Sequence, residues 1–571
     1  MAVQNIRYNG LSSGVQTMKK AVGGVIRRFL VAVFLLSANT AYGTEEVDGM
    51  PAFDGNVIDD TSFEREDSSK YFLKKTYSLD SRASLFPWAL TVSNHSVWVI
   101  GELAFRSLQG LTPNSAGDYP SSTTAFRIPL KIAGVVSANA PFQGRSLEGE
   151  PQQVNFSTLG EEITVDELGR IWFAQGGTNT TALDVTNYSR VISFTPPDSE
   201  NSEGEFCVYN IPDDNAEVLA VAWDADRDLL WFAQSSVHSG IGAIVSFKPS
   251  DMTACSNLYK WELNSQGDPV AGFDYGYCDS PDTQDCFTKY ALPADYHVAF
   301  SAFPSVGLPD METTGSPSFL TVLQEPHPDA GAVWFSLSFG DAIGRLDPEE
   351  PGGPVQTAFP IGDDPYSGKW IIPNNAGVWD IDVHPLTGDI VFTAYSGRYV
   401  GRFDMKRYLS ASYGGECETA PGVGQVNPCM QLMPVPGLSS VHNLHQLDFD
   451  NYGNAWFTVT TEGCLGKTDA IPHEPASIGF INSQWTQVIY FDALNFNSDE
   501  VDEAIFASID ASGLMKCNNV FDYFYTGIGT DLVEGRLNVW FTDSFRRKIR
   551  RLEVKPEYIG KDLFCEISVC T

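Results

Sequence analysis

Positive charge is what this sequence has least of. Only 36 of its 571 residues are Lys or Arg, against 72 Asp or Glu. Residues 1–43 hold five of the basic ones (Arg7, Lys19, Lys20, Arg27, Arg28) and no acidic one. The remainder sets 31 basic residues against 72 acidic ones, a net −41. Such a surface repels nucleic acid and anionic lipid, so neither is expected as a partner. Long apolar runs are missing too. Phe29 to Leu36 is short, and no later stretch approaches the roughly 20 apolar residues that a membrane span needs. No cysteine pair has CxxC spacing, which removes support for a zinc ribbon or a thioredoxin-like centre. After residue 43 the chain contains no G-x-S-x-G elbow, P-loop or Rossmann glycine pattern, which argues against the hydrolases, nucleotide enzymes and dinucleotide enzymes built on them. His473-Glu474-Pro475 is not an HExxH helix, because the proline interrupts and no second His follows. Asp279, Asp282 and Asp285 lack the D-x-D-x-D-G pattern of a calcium loop.

What is present begins with a targeting segment. Lys19, Lys20, Arg27 and Arg28 precede the short apolar run, and the small residues of Ser37 to Gly43 follow it. This reads as a secretory signal over residues 1–43, with Met18 as the expected true start. A periplasmic or secreted protein is implied. Residues 44–68 are acidic and polar and read as a mobile leader. Ten cysteines in an exported chain make five disulfides plausible. Pairing nearest neighbours would give Cys207–Cys255, Cys278–Cys286, Cys417–Cys429, Cys464–Cys517 and Cys565–Cys570.

The rest of the chain is organised by repetition. Nearly the same short strand recurs as Val97-Trp98-Val99, Ile171-Trp172-Phe173-Ala174, Leu230-Trp231-Phe232-Ala233, Val333-Trp334-Phe335-Ser336, Ile390-Val391-Phe392-Thr393, Ala455-Trp456-Phe457-Thr458 and Val539-Trp540-Phe541-Thr542. Before each comes an apolar strand and a polar turn, as in Asp166-Glu167-Leu168-Gly169 or Asp450-Asn451-Tyr452-Gly453. After it come a third strand, as in Ile343-Gly344-Arg345-Leu346-Asp347-Pro348, and a fourth. Successive strand residues face opposite ways, so Trp and Phe point to the two faces of a small sheet. Both can be large only if both faces are covered by neighbouring sheets. Seven such units form a closed ring, an all-β seven-bladed β-propeller of four-stranded blades over residues 69–571. Lys74 to Leu79 resembles a stray fourth strand and is expected to complete the last blade. The Trp positions (Val391 once) lie 57 to 103 residues apart, against about 40–50 for a minimal blade. Long, disulfide-tied loop insertions follow.

The order of strand, D/N-x-x-G turn, Trp-Phe-Thr/Ala and Ile-Gly-Arg-Leu-Asp-Pro resembles the virginiamycin B lyase (streptogramin lyase) group of propellers, best over Asp450 to Thr458 and Ala342 to Pro348. The resemblance implies opening of a cyclic depsipeptide by elimination at an ester, with a magnesium ion and a histidine base. The extra length and the cysteines depart from that group.

Candidate site residues lie just before the inner strands, where loops from outer strands gather at one mouth of the channel. His442 and His445 are the candidate catalytic bases, since imidazole can take a proton near neutral pH. Glu161, Glu162, Glu217 and Asp380 are the candidate ligands of a divalent cation, Mg or Ca. Glu503 lies at the equivalent place in the last blade. Arg546, Arg547, Lys548, Arg550 and Arg551 form the one basic cluster after the signal, and pairing with carboxylates is the favoured reading. Two functions stay open: a metal-assisted carbon–oxygen lyase, and a non-catalytic propeller binding a small molecule, peptide, protein or glycan. A monomer is expected in either case.

Overall fold

A computed structural model of the chain describes residues between 62 and 558. The longer stretches outside the described residues are 128–158, 176–189, 252–274, 277–285, 301–310, 362–376, 462–470, 493–513 and 516–524. Seven antiparallel sheets of four blade strands each stand in a ring. Their innermost strands are Phe86–Ser93, Leu159–Val165, Glu217–Asp224, Pro317–Val322, Val378–Val383, His442–Phe449 and Tyr525–Val533, in blades one to seven. Each touches the next, and the seventh touches the first, so the ring is closed.

The closing element is the expected one. Phe72–Ser78 pairs antiparallel with Lys548–Val554, with Phe72 opposite Val554 and Ser78 opposite Lys548. It supplies the outermost strand of blade seven from the far end of the sequence. The basic cluster holds this seam. Arg550 donates to Asp543 Oδ2 at 2.9 Å and to Thr76 Oγ1 at 2.6 Å. Arg551 donates to Glu553 at 3.1 Å and lies over the Trp540 ring at 5.2 Å. Lys548 donates to Ser78 Oγ. Arg546 and Arg547 lie outside the described residues. Two blades carry a fifth strand on the outer edge, paired parallel. Ser62–Glu66, the end of the acidic leader, lies along Gln487–Asp492 of blade six. Tyr275–Gly276, from the longest insertion, lies along blade two.

The repeated strand serves three purposes. Its Trp is wholly buried in blades two, three, four, six and seven. In each of these the indole N–H donates to an Asp that precedes it: Asp166 at 2.8 Å, Asp224 at 3.2 Å, Asp329 at 3.1 Å, Asp450 at 2.9 Å and Asp531 at 3.3 Å. A buried indole needs such a partner. In blades four, five and six its Phe fills the opposite face, lying where the third strand has glycine. A Cβ on Gly344 would fall 2.2 Å from the Phe335 ring, and one on Gly479 would fall 2.1 Å from Phe457. That is why the third strand reads Ile-Gly. Its Thr or Ser reaches the channel, as described below.

Cys417–Cys429 is formed and closes an insertion between the third and fourth strands of blade five. Cys207 and Cys286 are also disulfide-bonded. Cys255, Cys278, Cys464, Cys517, Cys565 and Cys570 lie outside the described residues, as do the signal segment and most of the leader. Among the described residues, no helix is long and apolar enough to cross a membrane.

Candidate functional site

Every inner strand breaks its register once against the second strand. The breaks fall between Pro87 and Ala89, Leu159 and Ile163, Val218 and Ala220, Pro317 and Leu320, Val378 and Ile381, Leu444 and Leu447, and Tyr525 and Ile528. A bulge of this kind re-aims the residues within it. It also strands backbone groups that the ladder would have satisfied. The hydroxyl of the repeated strand takes them up. Ser336 Oγ accepts from Phe319 N, and Thr542 Oγ1 accepts from Gly527 N at 2.8 Å. Thr393 Oγ1 accepts from Asp380 N and donates across to His445 O in blade six at 2.7 Å. Thr458 Oγ1 donates to Thr526 O in blade seven. Thr526 Oγ1 in turn donates to Trp88 O in blade one. The bulges are thus stitched together from blade five through six and seven to blade one.

These bulges carry most of the residues singled out in the sequence. His445 is wholly buried. Its ring centroid lies 5.7 Å from Trp88, 5.3 Å from Trp379 and 6.0 Å from Tyr395. Burial pushes its pKa down to about 3, so the imidazole is neutral and a very weak base. His442 sits three residues earlier and pairs with Thr461. Glu161 and Glu217 also lie on inner strands. The side chains of these three, and all of Glu503, lie outside the described residues. The Asp279–Asp285 loop and His473-Glu474 are outside as well.

Asp380 and Glu162 come together. Both line a cavity of about 260 Å³ in the channel. Asp382 and Asp448 complete an acidic wall, with Thr91, Gln446, Asn451 and Thr530 as further polar lining. Among the described residues, no Lys, Arg or His lines it. The lining runs from the bulges (Glu162, Asp380, Gln446) to Asn451, in the turn that follows an inner strand. The cavity therefore occupies the half of the channel nearer the turns that follow the inner strands.

Each carboxylate is held by its strand or by a neighbour. Asp380 Oδ1 accepts from Ile381 N at 2.9 Å, and its Oδ2 accepts from Leu447 N of blade six at 2.7 Å. Asp382 Oδ1 accepts from Val383 N at 2.7 Å and from Thr321 Oγ1 of blade four at 3.3 Å. Asp448 Oδ2 accepts from Thr530 N of blade seven at 2.5 Å. Glu162 Oε2 is shielded from solvent and has no hydrogen-bond partner. Removal from water disfavours the charged form of all four. Burial, then the Asp380 charge, pushes Glu162 well above the usual carboxylate range. Burial does the same to Asp380, against the pull of the Leu447 N–H. Asp382 is pushed up to about 6 and Asp448 to about 7, burial leading in both.

Asp382 and Asp448 escaped the sequence reading. Their signal was a period of two. Asp380 and Asp382 in Val-Trp-Asp-Ile-Asp-Val, and Gln446 and Asp448 in His-Asn-Leu-His-Gln-Leu-Asp-Phe, put polar groups at alternate positions of strands that are otherwise apolar. In an innermost strand that alternation marks the channel face.

Of the proposed cation ligands, only Glu162 and Asp380 have described side chains. Among the described residues, no three His, Cys, Asp or Glu side chains converge to hold an ion. Asp380 already gives both oxygens to backbone donors.

No protein-family model matches the chain, and no curated protein matches its sequence. Among solved structures it is similar to the periplasmic gluconolactonase of Pseudomonas aeruginosa, at 10% identity over 79% of this chain and 93% of that one, with a TM-score of 0.37. It is similar to a putative 6-phosphogluconolactonase from Bacteroides uniformis, at 12% identity over 77% and 91%, with a TM-score of 0.34. A protein of unknown function from Bacteroides thetaiotaomicron matches at 12% identity over 90% and 100%, with a TM-score of 0.31. Likeness at this level carries no argument about activity.

Proposed function

We propose that this is an exported, monomeric binding propeller whose channel cavity takes a small, positively charged molecule. The observation that carries the reading is the wall of Glu162, Asp380, Asp382 and Asp448, from blades two, five and six, with no cation among the described lining residues. Burying charges of one sign is costly unless an opposite charge joins them. A ligand cation supplies it. The volume suits a ligand smaller than the drug-sized occupants of pockets of about 300–1,000 Å³.

Calorimetric titration of the mature protein at low ionic strength tests this. An alkylamine should bind, acetate and glucose should not, and Asp382→Asn should weaken the amine. Binding of glucose with none of the amine would overturn the reading.

The lyase implied by the streptogramin-lyase resemblance is the second reading. His445, near pKa 3 and packed among aromatic rings, is poorly suited to be its base. Asp448, near 7, lies in the range where a general base works. Ring opening of a cyclic depsipeptide, followed by mass spectrometry and lost in Asp448→Asn, would favour this second reading.

A further inference from the structure

Resting on the binding reading, the hydrogen bonds already made around the cavity say more about the ligand. The four carboxylates form one cluster. Glu162 lies within reach of the charges of Asp380 and Asp382, and Asp380 and Asp448 each lie within reach of Asp382. One cationic centre answers such a cluster. None of the four offers it a free two-oxygen edge. Glu162 accepts from Leu320 N of blade four through the oxygen other than Oε2. Asp380 accepts through both oxygens, Asp382 through Oδ1 and Asp448 through Oδ2. Single oxygens on separate strands are left. Glu162 Oε2 is closed off from solvent with no partner, and among the described residues nothing donates to Asp382 Oδ2. A guanidinium grips a carboxylate edge to edge, by two parallel bonds. A primary ammonium has three diverging donors, which suit single oxygens from different strands.

The rest of the lining describes what carries the ammonium. Leu90, Ile163, Ile381, Leu447 and Ile528 turn into the cores between blades. The cavity therefore presents mainly polar groups. Among the described residues, nothing engages the Thr91 hydroxyl or the Asn451 side-chain amide, and both residues line the cavity. An alkyl group set against them would displace their water and return no hydrogen bond. A ligand hydroxyl replaces that water. The geometry points to a small primary amine of the amino-polyol class, with its ammonium on Glu162 and Asp382 and its hydroxyls on Thr91 and Asn451. Asp380 and Asp448 act as fixed charges behind it.

The test is calorimetric titration of the full mature chain, in chelator and at low salt, with 2-amino-1,3-propanediol, 2-aminopropane and guanidinium chloride. In the native protein the aminodiol should bind about tenfold more tightly than 2-aminopropane, and guanidinium more weakly than either amine. Glu162→Gln keeps an oxygen for Leu320 N and should weaken both amines. Thr91→Val combined with Asn451→Ala should bring the two amines to within about threefold of each other. A melting curve within a few degrees of native would show that each variant folds. Equal affinity for the two amines in the native protein would overturn the inference while leaving the binding reading intact. So would guanidinium binding as tightly as 2-aminopropane, amine affinities unchanged in Glu162→Gln, or a selectivity unchanged in the Thr91 and Asn451 variant. Failure of both amines to bind would instead remove the binding reading itself.

Discussion

Asp448 offers a sharp measurement of the channel's electrostatics in the ligand-free protein. In the folded chain its pKa is near 7, against 3.8 for an ordinary Asp. Each pKa unit corresponds to about 1.4 kcal/mol, so the charged form costs about 4 kcal/mol at high pH. The folded state holds a proton that the unfolded chain has already released. Stability is therefore lost as pH rises from about 4 through 7. Roughly 2.5 kcal/mol of the effect falls between pH 5 and pH 8. Asp382, near 6, acts with the same sign. His384 and His445 oppose them. Both are buried and neutral in the fold, near 4 and 3, so stability falls as pH drops below about 6.5. The bare pH profile is consequently shallow, and a variant is needed to isolate one group. Asn at position 448 keeps an acceptor for Thr530 N and cannot ionise. Urea unfolding of native and Asp448→Asn protein, in chelator and without amine, should show the variant more stable at pH 8. Its advantage should be larger there than at pH 5 by about 2–3 kcal/mol. An advantage that is constant with pH, or that shrinks as pH rises, would refute the assignment of a buried, proton-retaining carboxyl.

Two further outcomes test the scaffold. Gly479→Ala drives a methyl to 2.1 Å from the Phe457 ring and should cost about 1–3 kcal/mol in urea unfolding, with the amine affinity retained in the protein that remains folded. Deleting residues 1–79 removes the closing strand of blade seven and should yield a proteolytically labile, aggregating chain. Deleting residues 1–61 should leave a monodisperse one by size exclusion.

The fold was legible because its signals are local and repeated. One strand with a large residue on each face cannot be stable alone, and the chain repeats it seven times. The closing strand was legible because Lys74 to Leu79 had a strand pattern and no partner nearby. The channel was only half legible. Glu162, Asp380 and His445 stand out because they precede apolar strands, and the bulges that re-aim them are a cross-strand property invisible in a single segment. His445 looked like a base because imidazole is one in water. Its neutrality comes from Trp88, Trp379 and Tyr395, which lie 357, 66 and 50 residues away in the chain. Asp448 looked like one more acid in an acidic protein. Only the ring sets it beside carboxylates from other blades.

The closing strand also bears on how the chain survives before it is complete. Thr76 meets Arg550 only after more than 470 residues have intervened, so the last blade waits for both ends to exist. During that wait two strand edges lie bare, and bare edges recruit other chains. Both are positively charged in an otherwise acidic protein: Lys74 and Lys75 on one, Lys548, Arg550 and Arg551 on the other. Copies of either edge repel each other. Some of the few cations this sequence keeps thus sit where premature pairing is most dangerous, and Asp543 and Glu553, on the same hairpin as Arg550 and Arg551, pair with those two.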